Sequence, residues 1–317
     1  MAKILVVGSI SFDVLFDVHG DIKKEIPLRD GAISNINLMF TANSKKEYYG
    51  GTAGNIAYGL GLLKEKPIVF SLVGRDFTPD YQEHLEKLGI IVKVIEKENE
   101  FSATYYAISD EAKQQIGIWQ PNAYGKWIDK SQMLETLTKT ELKAIKIAIF
   151  SPGTGISTRN MIKEFRKYNK RATVIFDPSQ VLSIFYDKPL LLECISNSNI
   201  FIGNETEIAQ LNTLFGLNVH DLLELGLEAV IETKGENGVV LYTKNNTIEV
   251  PAFKAIRFTE ATGAGDAFRS GLISGLSHGK SLEESARLGT YMGAKSVEEL
   301  GGQLYTIDSA EKITNLK

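Results

Sequence analysis

Thr262-Gly263-Ala264-Gly265-Asp266-Ala267-Phe268-Arg269-Ser270-Gly271 is the stretch that decides how this chain is read. Ala264, Ala267, Phe268, Gly271, Leu272 and Gly275 recur at spacings of three and four, so the glycines stand where a helix opens. Glycines there let backbone N–H groups approach an anion closely. The unpaired donors of the first turn and the positive end of the macrodipole then make a phosphate site that needs no lysine. Asp266 falls in that first turn, within reach of a hydroxyl attacking a phosphate held there. A plainer reading is a tight turn with an acidic side chain steadying a helix N-terminus. The stretch by itself does not separate the two.

Outward from this motif the chain alternates short apolar runs with helix-length segments. Ile4–Val7, Ile68–Val73, Ile147–Phe150, Thr173–Phe176, Ile200–Ile202, Ala229–Glu232 and Val239–Tyr242 are short and rich in β-branched or aromatic residues. Segments such as Thr158–Asn169 and Val219–Leu227 carry helical patterns between them. This order predicts an α/β protein, a mostly parallel central sheet covered by helices on both faces.

Two stretches interrupt the alternation in the same way. Leu15–Tyr49 contains Asn35–Phe40, and Ile90–Trp119 contains Ala103–Ile108 and Gln115–Trp119 around a turn at Ser109-Asp110-Glu111. Both read as strands of mixed polarity, and a small sheet inserted twice from the main body accounts for them. The expected division is one unit, with core residues 1–14, 49–90 and 120–317 and an inserted β-sheet lid of residues 15–48 and 91–119.

A second glycine cluster, Tyr49-Gly50-Gly51-Thr52-Ala53-Gly54-Asn55, again sets a polar side chain at a helix start, though a loop and a helix cap would read alike. It is not a Walker A loop, because no Gly-Lys-Ser/Thr follows. Gly8 after the first strand lacks the continuation of a dinucleotide fingerprint. No Gly-x-Ser-x-Gly elbow supports hydrolysis by a serine. His19, His84, His220 and His278 lie far apart without ligand spacing, so each reads as a surface or packing residue.

Composition narrows the function classes. With 317 residues, 43% hydrophobic and 23% charged, the chain is long enough to bury its own core without disulfides. Cys194 is the single cysteine, which suits a reducing compartment. Thirty-five basic against 39 acidic residues give a net charge of -4, so nucleic acid is not an expected partner. The first apolar run is far short of the roughly 20 residues of a membrane span. A cytoplasmic protein without a membrane partner is expected.

Taken in order, these residues resemble the ribokinase-like, phosphofructokinase-B-type family of sugar and nucleoside kinases. Gly8–Asp13 is similar to that family's N-terminal strand with its substrate aspartate, and Gly50–Asn55 to the Gly-Gly-x-x-x-Asn substrate loop. Val73-Gly74-Arg75-Asp76 matches a Val-Gly-x-Asp turn, Asn204–Glu207 an Asn-x-x-Glu motif, and Thr233-Lys234-Gly235 with Gly238 a nucleotide-binding Thr-x-Gly-x-x-Gly. Gly263–Asp266 matches the Gly-Ala-Gly-Asp anion hole and base. The resemblance covers essentially the whole chain and implies a three-layer α/β/α ribokinase-like fold.

It also implies in-line transfer of the ATP γ-phosphoryl group to a primary hydroxyl. Asp266 would accept the proton, and the amides of Gly263, Ala264 and Gly265 would meet the developing charge. Asp13, Gly51 and Asn55 would hold vicinal sugar hydroxyls. Asn204, Thr233, Gly235 and Gly238 would bind ATP, and Glu207 would hold Mg²⁺ through water. Where many relatives have Asp before this last motif, Glu260 stands here, so the resemblance leaves K⁺ activation open.

Phe176-Asp177-Pro178-Ser179-Gln180 and the strand from Gln114 to Asn122 resemble the adenosine and nucleoside kinase branch, with Ser179 and Asn122 standing where that branch has glycine. The expected reaction is phosphorylation of a nucleoside 5′-hydroxyl, adenosine first. A ribokinase- or fructokinase-type sugar kinase and a binding protein without turnover are the alternatives. Phe12, Tyr106 and Trp119 are candidate base contacts, though aromatics on strands more often serve packing, and none of the three is assigned. Ile36, Leu38 and Phe40 would suit either the substrate or a homodimer contact through the lid.

Overall fold

The computed structural model describes residues 3–26, 28–29, 32–33, 38–112, 114–126 and 132–308. In chain order the strands are β1 (Ile4–Val7), β2 (Ser11–Val18), β3 (Leu28–Arg29), β4 (Ala32–Ile33), β5 (Ala42–Gly50), β6 (Ile68–Gly74), β7 (Ile91–Lys97) and β8 (Ala103–Ser109). They continue with β9 (Gln115–Gln120), β10 (Ile147–Phe150), β11 (Thr173–Phe176), β12 (Ile200–Asn204), β13 (Ala229–Thr233), β14 (Val239–Tyr242) and β15 (Thr247–Val250). Nine of them form one sheet in the order β15-β14-β13-β12-β11-β10-β1-β6-β7, parallel from β13 to β7 with an antiparallel edge of β14 and β15.

Alternation along these strands feeds two cores. Leu5, Val7, Phe70 and Phe150 pack with Phe165 and Leu191 on one face, while Ile4, Val6, Val69 and Ile149 pack with Ile56, Leu60 and Leu272 on the other. Helices Gly155–Tyr168, Lys188–Ile195 and Glu205–Phe215 cover the first face. Helices Thr52–Leu62, Pro79–Glu86, Ala264–Ser277 and Leu282–Ser296 cover the second. The result is the expected α/β/α sandwich. Among the described residues no helix is long and apolar enough to cross a membrane.

The small sheet has the order β5-β2-β8-β9. β2 pairs antiparallel with β5 and parallel with β8, and β8 pairs antiparallel with β9 across the anticipated hairpin. β2 enters it from β1 and β8 from β7, the two strands that flank β6 in the large sheet. At these crossings Ile10 N donates to Ser71 Oγ at 3.1 Å and Gly74 N donates to Ser102 Oγ at 3.0 Å, so each is tied to β6.

The expected segment bounds need correction. β2 begins at Ser11, inside the stretch assigned to the core, because Ser11–Val14 are buried and read like a continuation of β1. Ile91–Lys97, assigned to the lid, pairs with β6 at the edge of the large sheet, and its partly exposed face gave the alternating pattern that suggested an insertion. The strand expected at Asn35–Phe40 falls partly outside the described residues, as does Ile36, and Leu38-Met39-Phe40 form no strand. Lys45–Glu47 lie within β5. Arg166 donates to Asn197 O, Ala172 O and Asn199 Oδ1 at 2.6–2.8 Å.

Candidate functional site

The Ala264–Ser277 helix opens on Gly263, whose φ of 80° is left-handed and costs glycine nothing. No side chain caps this end. Ala264 N donates to Ala261 O at 3.1 Å, so of the three amides named for the anion hole, this one closes the entry turn. The Thr52–Leu62 helix differs at its start. Gly51 has a φ of 88°, and a β-carbon there would lie 2.5 Å from Ser9 O. That carbonyl accepts from Ala53 N and Gly54 N, and Ser9 Oγ from Thr52 N. This second helix start is therefore filled by its own chain, and its contribution is Asn55.

Asn55 Nδ2 donates to Asp266 Oδ2 at 2.9 Å, while Asn55 Oδ1 accepts from Gln303 Nε2 at 3.1 Å. Burial pushes Asp266 up to about 6, opposed by Arg269 and the Asn55 hydrogen bond and assisted by Asp177. Asp13, 6% exposed, is pushed up to about 7 by burial and then by the charges of Asp266 and Glu260. Two carboxyls from distant segments thus share one cleft and disfavour each other's ionisation. Glu260 Oε1 accepts from Thr262 Oγ1 at 2.7 Å and Oε2 from Gly301 N at 3.2 Å. The extra methylene of this glutamate spans the two loops.

Strand register settles which aromatics face this cleft. Asp13 sits opposite Tyr48 on one side and Tyr105 on the other, and Tyr105 is opposite Trp119. The four therefore form a row on one face of the small sheet. The Tyr105 hydroxyl, raised by burial, also feels the charges of Asp13 and Glu260. Tyr106 and Phe12 occupy the opposite parity: Phe12 packs against Tyr49 and Tyr81 in the core. Of the three sequence candidates, only Trp119 belongs to the row. Beside Tyr48, a cavity of about 360 Å³ is lined by Phe12, Glu47, Tyr49, Gln303 and Leu304.

The nucleotide candidates line up at the carboxyl ends of adjacent parallel strands. Asn204 ends β12 directly opposite Thr233, the end of β13. Gly235 and Gly238, with φ of 53° and 87°, then turn the chain into β14. Asn204 and Glu207 form a capping box: Asn204 N and Nδ2 donate to the two Glu207 carboxylate oxygens at 2.8 and 3.0 Å, and Asn204 Oδ1 accepts from Glu207 N. Glu207 is 3% exposed and raised by burial and by Asp177. Among the described residues no group of three or more His, Cys, Asp or Glu side chains could hold a metal directly.

Sequence reasoning missed a buried ion pair beneath these groups. Arg269 Nη2 donates to Asp177 Oδ1 at 2.9 Å, with Nε 2.6 Å from Oδ2. The one signal was a charged residue in each of two otherwise buried motifs. Cys194 is buried and pushed up to about 12, consistent with an inert thiol. His84 stacks on Tyr58 with ring centroids 5.5 Å apart, a packing residue.

An acidic group at a glycine-opened helix, facing a second sheet and a row of strand ends, is the architecture of a small-molecule phosphotransferase. The chain belongs to the pfkB family of carbohydrate kinases, whose sequence pattern matches residues 1–309. It is 31% identical over 307 residues to a nucleoside kinase of Methanocaldococcus jannaschii, covering 96% of this chain and 93% of that one. The nucleoside kinase of Burkholderia thailandensis in complex with inosine superposes with a TM-score of 0.83 at 28% identity, covering 99% and 98% of the two chains. A Thermotoga maritima ribokinase gives 0.79 at 26%, covering 100% and 99%. The protein is a phosphotransferase with an alcohol group as acceptor, of the nucleoside and sugar kinase kind.

Proposed function

We propose that this protein is a nucleoside kinase that transfers the γ-phosphoryl group of ATP to the 5′-hydroxyl of a nucleoside, adenosine first. The observation that carries the reading is the row Tyr48, Asp13, Tyr105 and Trp119 on one face of the small sheet. It sets a carboxyl for sugar hydroxyls between flat aromatic surfaces for a base, a combination with no use for a free sugar. The relatives named as nucleoside kinases support it.

Asp266 then orients the 5′-hydroxyl and takes its proton late, so a carboxyl near 6 suffices at neutral pH. Asn55 fixes one oxygen of Asp266 and leaves the other for substrate. Asp13 and Asn55 hold the ribose hydroxyls, with Gly51 letting the Ser9 carbonyl close the helix start beside them. The cradle of Gly263, Ala264 and Gly265 meets the charge on the transferred group. Asn204, Thr233, Gly235 and Gly238 hold the nucleotide at the strand ends. Glu207, a buried carboxylate whose two oxygens are already engaged by Asn204, fits a magnesium ion held through water rather than directly. That ion would neutralise charge on the phosphates. The small sheet acts as the lid that excludes water from the transfer.

The test is ADP release from Mg²⁺-ATP with adenosine, inosine, guanosine, cytidine, ribose, fructose and fructose 6-phosphate, with and without K⁺. Turnover on nucleosides with adenosine fastest is expected. Turnover confined to the sugars overturns the nucleoside reading, and a faster rate with another nucleoside overturns adenosine alone.

A further inference from the structure

We propose that Arg269 is a further catalytic residue of this kinase: clamped by Asp177, it offers the free edge of its guanidinium, beside Gly265, to the oxygens of the phosphoryl group in transfer. The inference rests on the kinase reading above.

Arg269 lies one helical turn after Asp266 and is 6% exposed, and Asp177 at the end of β11 is wholly buried. Nη2 donates to Asp177 Oδ1 at 2.9 Å, and Nε lies 2.6 Å from Oδ2 as an ion contact without the alignment of a hydrogen bond, so the carboxylate holds the guanidinium by one bond and by charge. Nη1 is left over. Among the described residues it makes no hydrogen bond, and it lies only 2.8 Å from where a β-carbon on Gly265 would stand. The absent side chain of Gly265 thus leaves a space that the guanidinium edge fills, directly under the cradle proposed for the phosphoryl group.

The charges around Arg269 fit this placement. Its cation acts on Asp177 first and then on Asp266 and Glu207, so its charge is felt at both the proposed base and the proposed magnesium position. The other basic side chain near these strand ends, Lys234, points its Nζ at Glu232 Oε2, 3.5 Å away. Burying an arginine for architecture alone would engage its remaining donors. In-line transfer spreads negative charge over three equatorial oxygens, and an oriented donor in a dry site stabilises that charge without reorganising. No proton passes through Arg269. The bond from the γ-phosphorus to the leaving ADP oxygen breaks, the bond to the substrate oxygen forms, and the hydroxyl proton goes to Asp266.

Arg269→Gln alone strands a buried carboxylate and can unfold the protein, so the experiment pairs R269K with the charge-free double variant D177N/R269Q. Thermal melts by circular dichroism establish that each variant folds, and if the double variant does not, R269K carries the same two readouts. The wild type is assayed first on the nucleoside and sugar panel. No turnover on any acceptor would count against the kinase reading and not against Arg269. With an active wild type, kcat is expected to fall at least a hundredfold while the KM for the acceptor stays within about threefold. The preference for ATP over ADP, measured by calorimetry, falls at least tenfold, which a merely architectural arginine would not cause. A kcat loss under tenfold in a folded variant, or an unchanged ATP to ADP preference, overturns the proposal.

Discussion

Asn55 Nδ2 meets Asp266 Oδ2 at 2.9 Å, joining the opening turns of two helices whose residues stand 211 apart in sequence. The bond gives the carboxylate a fixed orientation, with one oxygen occupied and the other directed to the cleft. Asp266→Asn is expected to lower kcat by about 10²–10⁴. ATP and nucleoside dissociation constants by calorimetry should stay within about threefold. Near-normal turnover in this variant would remove Asp266 as the base.

The pH profile follows from the same two carboxyls. Asp266 is raised to about 6 and Asp13 to about 7, and the proposed roles call for both to be ionised, Asp266 to take the hydroxyl proton and Asp13 to accept from two sugar hydroxyls at once. Turnover should therefore rise between about pH 5.5 and 7.5 and level off above. Asn55 holds Asp266 down, so Asn55→Ala should move the acid limb of kcat upward. A limb that stays in place or moves down in that variant would break the link between bond and titration.

Asp13 also sets a trade between stability and activity. Its folded value of about 7 lies above the ordinary 3.8, so folding favours the protonated form. The corresponding stability is present in full below about pH 4 and is lost as pH rises through 7. Asp13→Asn keeps the shape without the charge. At pH 8 it should be more stable than the wild type by about 1–3 kcal/mol, a gain that vanishes near pH 4, while nucleoside affinity drops. Urea unfolding at both pH values checks this, and equal stability at pH 8 would contradict it.

Ser179 and Asn122 both stand at positive φ, 49° and 44°. Both lie in the left-handed region that favours glycine, so each side chain is held there at a cost in strain. Ser179→Gly should stabilise the protein by roughly 0.5–1 kcal/mol. Asn122→Gly should gain less, since asparagine tolerates this region and its Nδ2 donates to Ser102 O at 3.0 Å. Thermal melts of the two variants test the ranking.

The aromatic row gives a substrate-specific expectation. Trp119→Ala and Tyr105→Leu should each raise the nucleoside KM by about five- to a hundredfold, the equivalent of 1–3 kcal/mol of stacking on a base. ATP hydrolysis without acceptor should not fall. An unchanged KM in both variants would place the base elsewhere, the cavity beside Tyr48 being the next candidate.

The large sheet was legible because strands such as Ile4–Val7 and Phe150's β10 are buried on both faces and bounded by turns, leaving runs no other structure explains. The small sheet was legible in existence but not in extent. Ser11–Val14 are buried like core, while Ile91–Lys97 has the alternation of an inserted strand though it edges the main sheet. The candidate site residues were singled out by the glycine clusters at Gly50–Gly54 and Gly263–Gly265 and, for Asp13, Asn204 and Glu207, by the family resemblance. The partnership of Arg269 with Asp177 was not, since 92 residues separate them and neither spacing nor periodicity records a salt bridge. The face of the aromatic row was equally hidden: a shift of one residue between Tyr105 and Tyr106 exchanges the two sides of a strand.

The parallel pairing of β2 with β8 has a mechanical consequence. The two strands leave the large sheet on either side of β6, from β1 and β7, and both crossings are bonded to β6, through Ser71 and Gly74. The small sheet is thus mounted on two adjacent pins along a single rail. On the proposed reading, a swing about the line through those pins would carry Asp13 and Tyr105 together, so grip on a sugar and cover over a base would come in the same stroke.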